Sequence, residues 1–415
     1  ESYTPNFFRV NAEFLTYSGL WSPPYKNGIK YYLYKLYKTV VLFSVLFYNP
    51  CVVILGVIEH IHDFVIVIEA LNVGLTILLT GVKSAFWLSN GERIKEIMHR
   101  LETNVLHYEE TDGFDSVRMI REAQKSGLWY ALLLWRAALL TLAFAYIPVA
   151  MLSLWYCFND LPITGVKAFE NLPYYMYVPF KRDTAFKYFL ACVLQCSPCF
   201  ICATVFVGID SLFMSMMNLI GTHMLIVQGA FRTSRKRCLK KLKGRALTED
   251  GLYNSEELES YMMDEMKSCI EHLQMLFRSC SDIEDAFQYM SFVQALCTMY
   301  ILCSTLLLIS TVNVLTNEFG KDLIYFLGVT LQLGLYCWFG NQLTLKSEGV
   351  PLAMWESDWL ETRKPYKFCM LVTMMRFKKP VYINAGKFVP LILDTQIAVI
   401  KGSYSYYSVL KGMSK

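Results

Sequence analysis

One apolar stretch near the C-terminus holds more polar chemistry than hydrocarbon tolerates. Between Phe388 and Leu410 it carries Asp394, Gln396, Lys401 and a ladder of serines and tyrosines. A lipid-facing helix disfavours such groups, whereas a water-lined or protein-buried one accommodates them. Two readings follow: a helix lining a pore, or a bundle helix whose polar groups bond to its neighbours. At helical spacing Gly402, Ser405, Val409 and Met413 share one face. An apolar ring on an otherwise wet helix is how channels gate by dewetting. The helix is therefore a pore-lining candidate, with the bundle reading beside it.

Other candidates carry less. Glu69, Lys83 and Asp210 also lie in apolar runs, and embedded ionisable groups are functional candidates by default. Lys83 is close enough to the end of its run to snorkel toward headgroups, and Asp210 is expected to bond a neighbouring helix. Cys192, Cys196, Cys199 and Cys202 share a helical face; a thiolate metal site or the packing of small residues would each explain them, and packing is preferred. His60 and His62 fall in a short turn, read as solvated. Most of the 13 cysteines lie in apolar runs, unlike a secreted disulfide framework. Phosphate-binding glycine loops, HExxH and GxSxG are absent, so no enzyme is expected, and no cofactor or metal.

The elements that must hold these groups are membrane spans. The chain has 415 residues, 54% hydrophobic and 18% charged, with mean hydropathy +0.33. A soluble core of this length needs more charge to cover it. The net charge of +4 is too small to suggest nucleic acid. Crossing ~30 Å of hydrocarbon takes about 20 apolar residues. Seven segments meet or approach that: Thr39–Ile58, Phe64–Leu88, Leu128–Phe158, Tyr188–Phe231, Phe292–Leu315, Leu323–Gly340 and Phe388–Leu410. Residues 1–17 lack a basic-then-apolar leader, so the first span is expected to serve as its own insertion signal.

Lysine and arginine collect in alternate connections. They lie before span one, between spans two and three, after span four (Arg232 to Arg245) and between spans six and seven (Arg363 to Lys379). The positive-inside rule then puts the N-terminus in the cytoplasm and the C-terminus outside. Span four, at 44 residues, would be about 66 Å long as a helix. Its half from about Met214 is expected to continue below the membrane. The stretch Glu249–Asp285 repeats apolar residues at helical spacing (Leu258, Met262, Met266, Ile270, Leu273, Phe277). Together these predict an intracellular anchor domain of packed helices. The domain reading is 1–38 cytoplasmic segment, 39–231 spans one to four, 232–291 loop and amphipathic helix, 292–340 spans five and six, 341–387 anchor segment, and 388–415 pore-lining span.

The stretch Arg376-x-x-x-Pro380, then Ala385-Gly386-x-Phe388, Thr395, and Lys401-x-Ser403-Tyr404-Ser405-Tyr406-x-x-x-Leu410 resembles the C-terminal signature of insect odorant receptors. The resemblance is specific over roughly the last 60 residues and architectural over the rest. Gustatory receptors end in a Thr-Tyr pattern from which Ser403–Tyr407 departs. The longer second intracellular loop and apolar seventh span of the family's co-receptor are missing. The chain thus looks like an odour-tuned subunit. The resemblance implies an all-α membrane protein assembling as a tetramer with co-receptor subunits, in the plasma membrane of a sensory dendrite. It would conduct cations through a pore lined by span seven. Val409 would be the apolar gate, Ser408 beside it, Met413 one turn further out and Ser405 on the same face. It also implies an odorant, a small volatile organic compound, in the outer half among spans two, three, four and six. Residues at that depth are Leu71, Thr76, Phe144, Tyr146, Met151, Phe189, Phe200, Tyr325, Phe326 and Thr330. Pro148 and Pro198 would kink spans three and four and help open the cavity. A metabotropic chemoreceptor is the alternative reading.

Overall fold

The computed structural model describes residues 6–21, 28–103, 108–111, 113–163, 166, 169, 172–242, 256–312 and 316–413. Expectations for Lys243, Arg245 and Leu315, and for the start of the amphipathic helix at Glu249, lie outside these residues. So does the side chain of Met413.

The molecule is built from long antiparallel helices. A short α1 (Arg9–Tyr17) precedes α2 (Ile29–Phe43), which passes through a π turn (Ser44–Tyr48) directly into α3 (Asn49–Glu59). Then follow α4 (Phe64–Thr103), α5 (Ser116–Phe158), α6 (Ala185–Leu242), α7 (Glu256–Thr311), α8 (Asn317–Trp355), α9 (Lys364–Arg376) and α10 (Leu393–Met413). Among the described residues six helices are long and apolar enough to cross a membrane, α2 and α3 counting as one. The seventh, α10, has 21 residues and the polar ladder noted above, and is not among the six. A two-strand hairpin, β1 (Asn384–Ala385) with β2 (Val389–Pro390), leads into it.

Local chemistry sets the helix starts. Asp63 Oδ1 accepts from the backbone N–H groups of Val65 and Ile66 at the head of α4. Asp115 caps α5 through Arg118 N at 2.9 Å, and Thr316 caps α8 through Phe319 N. Such caps satisfy amides that have no partner within the helix. Three glutamates in the first turn of α7 favour its dipole.

The helices run well past the expected spans. The stretch from Glu256 through Thr311 contains neither Gly nor Pro, so the amphipathic segment and span five are one helix of 56 residues. Leu258, Met262, Met266 and Leu273 are buried as their spacing predicts, and Ile270 and Phe277 pack against the same core. At 58 residues, α6 is about 87 Å long. From Val207 to Met224 every residue of it is buried, so this part of the helix is surrounded by protein on all sides. Pro148 and Pro198 both sit inside continuous helices. By contrast α2, the π turn and α3 expose Leu33, Leu36, Val40, Phe43, Phe47 and Ile54, a surface suited to lipid.

Two cores result. The larger gathers α1, the C-terminal parts of α4, α6 and α8, the N-terminal parts of α5 and α7, and α9. The smaller lies at the other end of the bundle, where the α5–α6 connection folds back and buries Tyr174 and Met176 against Tyr188, Ala191 and Cys192. Gln195 Nε2 fastens that connection by donating to the carbonyls of Tyr174 and Met176, each at 3.2 Å.

Candidate functional site

Between the two cores α4, α5, α6, α7 and α8 line a cavity of about 180 Å³. Its walls are mostly aliphatic and aromatic, with Ile77, Leu134, Leu142, Phe206, Val207 and Val329 among them. Such walls suit small, largely apolar ligands with few polar anchors.

Ion pairs bracket the cavity. At one end Asp210 binds the Lys83 ammonium and accepts from Gln332 Nε2 and from Tyr336 OH, the last at 2.7 Å. Lys83 also lies 3.4 Å from the centroid of the Phe206 ring. Both charges are buried, so Lys83 is held in the protein interior and does not snorkel. The physical reason is that a carboxylate with three donors is a better partner than a distant headgroup once both charges are desolvated. At the other end Lys321 pairs with Glu69 and donates to Pro173 O at 3.2 Å, with the Tyr174 ring 5.4 Å away. Along α4 the two pairs stand 14 residues apart, about 21 Å of helix.

On one wall Thr76 Oγ1 and Tyr325 OH are 2.6 Å apart, and Tyr325 also donates to Asn72 O at 3.3 Å. These are the two sequence-predicted odorant positions that line the cavity. Tyr146 lies one layer behind, its hydroxyl 3.7 Å from Cys199 Sγ and its ring edge-on to Tyr174. The structure does not bring the others to this space. Phe144 and Met151 stand with Leu140 and Ile147 on an exposed stripe of α5. Leu71 is exposed on α4. Phe200 packs edge-on against Trp135. Phe189, Phe326 and Thr330 are half-buried outside the lining. On α5 the inward positions are instead Leu134, Ala137, Ala138, Thr141 and Leu142.

Several lining residues have no counterpart in the sequence reading. Tyr174 comes from the connection rather than a span, and Gln294, Thr298 and Ile301 come from α7. Cys199 and Cys202 belong to the lining too, Cys202 accepting from Asn49 Nδ2 at 3.5 Å. They act here as small packing residues. Among the described residues no group of three His, Cys, Asp or Glu could hold a metal.

The polar helix α10 rests against α7 and α8 and leaves its other face open. Ser403 is buried and donates to Met299 O of α7 at 3.2 Å. Gln396 comes so close to Gly334 of α8 that a Cβ there would lie 2.8 Å from its Nε2. Ser405, Ser408 and Val409 are exposed, and nothing approaches Gly402 within 4 Å of where a Cβ would be. The hairpin before α10 is fastened to α7. Gly386 N donates to Gln288 O at 3.0 Å, Asn384 Nδ2 to Glu284 at 3.0 Å, and Lys387 pairs with Asp285 at 3.1 Å. Gly386 and Lys387 both turn through left-handed backbone, φ +63° and +66°, which glycine takes without a Cβ penalty.

Residues 63–404 match a family model described as 7tm odorant receptor. Among curated proteins the chain is 25% identical to odorant receptor 2a of Drosophila melanogaster over 203 residues, 48% of this chain and 49% of that one. It is 24% identical to odorant receptor 10 of Aedes albopictus over 260 residues, 61% of this chain and 63% of that one. The chain thus spans about half to under two thirds of the length of these curated relatives. Its fold is similar to that of the insect olfactory receptor OR5 from Machilis hrabei, with a TM-score of 0.76 at 13% identity over 97% of both chains. The same receptor in complex with eugenol gives 0.74 over 98% of both.

Proposed function

Because the chain belongs to the 7tm odorant receptor family, we propose that it is an odorant-gated, non-selective cation channel subunit that works as a tetramer with a co-receptor. The observation that carries this reading is the coexistence of an apolar cavity and a polar helix whose Ser405, Ser408 and Val409 face is left open in the single chain. A lone subunit has no reason to leave such a face unpartnered. Three further copies or co-receptor chains around a central axis would cover it and form the pore. The similarity to a receptor solved with eugenol supports a small volatile as ligand for the related fold.

In this reading the odorant lies in the cavity against Thr76 and Tyr325, with Tyr146 behind them, and Val409 narrows the pore. The N-terminus is cytoplasmic and the large core forms an intracellular anchor shared between subunits. The alternation of basic connections supports that orientation. Plasma membrane of a sensory dendrite is the corresponding location. A ligand shifts a closed–open equilibrium only by the difference between its affinities for the two states. The cavity must therefore act on α10 through packing, and α7 and α8 touch both places.

Recording currents from cells expressing the chain with a family co-receptor tests this. Tyr325→Ala should move half-activating concentrations by different factors for different odorants and leave unitary conductance unchanged. Val409→Ser should alter permeation or block and keep the odorant rank order. Equal disturbance of odorant ranking by both substitutions would refute the separation of sensing from conduction.

A further inference from the structure

The polar atoms around the cavity are almost all committed. Thr76 and Tyr325 bond each other. Thr141 Oγ1 donates to Ala137 O at 3.0 Å. Asp210 already has Lys83, Gln332 and Tyr336. Gln294 on α7 differs. Its Nε2 donates to Thr298 Oγ1 at 3.2 Å, while its Oε1 is buried with no hydrogen-bond partner. It is the one such side-chain atom among the described residues that line the cavity. Gln294 is 6% exposed, so bulk water does not reach it.

We propose that the cavity is tuned to a small neutral volatile bearing one hydroxyl, which donates its proton to Gln294 Oε1 while its hydrocarbon body fills the apolar walls. This rests on the reading that the odorant occupies this cavity. The chemistry follows from what is missing: a buried amide oxygen lacking a donor costs free energy until one arrives. A hydroxyl supplies it without bringing in charge. A carbonyl compound has no proton to give, and a plain hydrocarbon leaves the oxygen bare. Amines are disfavoured, because in their cationic form they would need a free carboxylate, and Asp210 is committed. Size follows from volume. A dry apolar cavity of about 150 Å³ accepts benzene, so 180 Å³ accepts a ring with a short hydroxylated arm, or a chain of similar bulk. The site also gives α7 a direct role in ligand binding. One turn beyond Gln294 the same helix presents Met299 O to Ser403 of α10, so a ligand pulling on Gln294 acts on the helix that α10 rests against.

Three near-isosteric probes test the assignment in cells expressing the chain with a co-receptor: benzyl alcohol, benzaldehyde and ethylbenzene. Benzyl alcohol should half-activate at a concentration about tenfold below the other two, the scale of one net hydrogen bond to a buried acceptor. Gln294→Met, of similar shape and without the oxygen, should erase that preference while keeping the response to ethylbenzene, which also shows that the variant folds and reaches the surface. Retention of the alcohol preference in Gln294→Met overturns the proposal. So does benzaldehyde matching benzyl alcohol with equal loss of both in the variant, since the amide would then present its N–H₂ group. A cavity-filling variant separates this outcome from failure of the wider reading. At Gly328 the nearest atom to an added Cβ is 3.8 Å away, and Gly328→Leu should suppress all three responses. If it suppresses them while Gln294→Met keeps the preference, only the hydroxyl assignment falls. If Gly328→Leu leaves all three intact, the cavity is not the odorant site and both fall.

Discussion

At the scale of single residues the buried charges are where losing one partner costs most. Lys83 and Asp210 are both fully buried and answer each other. Removing one partner strands the other, which costs about 3 to 5 kcal/mol. Asp210→Ala should therefore cut surface expression sharply and lower the thermal midpoint of the purified protein. The paired replacement Lys83→Met with Asp210→Leu should recover most of the loss. A single variant as stable as the parent protein would mean that the pair is not formed. Sequence alone marked Glu69, Lys83 and Asp210 as embedded charges, because each interrupts an apolar run. Their pairing was not legible, since partners stand 127 and 252 residues apart. Lys321 falls in the seven residues between the ends of spans five and six, so Glu69 has no visible counterpart in the sequence. The cavity shows the same limit. Thr76 and Tyr325, two of the residues the resemblance puts at that depth, line the cavity, but depth does not say which way a helix is turned. Phe144 and Met151 sit at the right level on the exposed stripe of α5, while alanines beside them face inward.

At the scale of elements the informative joint is where the far ends of α6 and α7 meet. His272 is buried, with Nε2 3.2 Å from His223 Nδ1 and Nδ1 3.2 Å from Tyr108 OH. Arg237, bridged to Glu265 at 3.0 Å, lies over the other part of the Tyr108 ring. Burial, with His223 alongside, pushes the His272 imidazole down to about 3. The sign follows. An unfolded histidine titrates near 6.5, so below that pH the unfolded chain takes up a proton that the folded one refuses. Stability is lost as pH falls from about 6.5 toward 3, by about 2 kcal/mol at pH 5 for this one group. The thermal midpoint of the purified protein should drop between pH 7.5 and pH 5, and His272→Gln should flatten that slope. An unchanged slope would show that another group is responsible. The amphipathic run from Leu258 was legible as a helix because its apolar spacing is regular. Spacing alone does not join it to span five, because polarity changes abruptly near Phe292, yet the backbone meets no Gly or Pro there and continues as one helix. Polarity sets a helix's surroundings, whereas breakers set its ends.

At the scale of the whole molecule, architecture was the most legible property, since hydrophobic length is a summed signal that tolerates local error. Six apolar helices and the polar α10 stand where the apolar segments are in the chain. Orientation rests on the distribution of lysine and arginine. With a cytoplasmic N-terminus, an antibody tag appended to the C-terminus should stain unpermeabilised cells; staining only after permeabilisation would reverse the molecule and remove the outer-half setting of the cavity. One further consequence comes from α6, which passes without a break from the small core through the cavity wall into the large core. Each residue advances a helix by about 100°, so the two cores are locked in phase along one shaft. A single inserted residue near Met214 would rotate every large-core side chain about a third of a turn away from its partners. Seven added residues would restore the phase almost completely while lengthening the shaft by about 10 Å. Loops in this chain can drift in length one residue at a time, but α6 can change only in whole-turn increments.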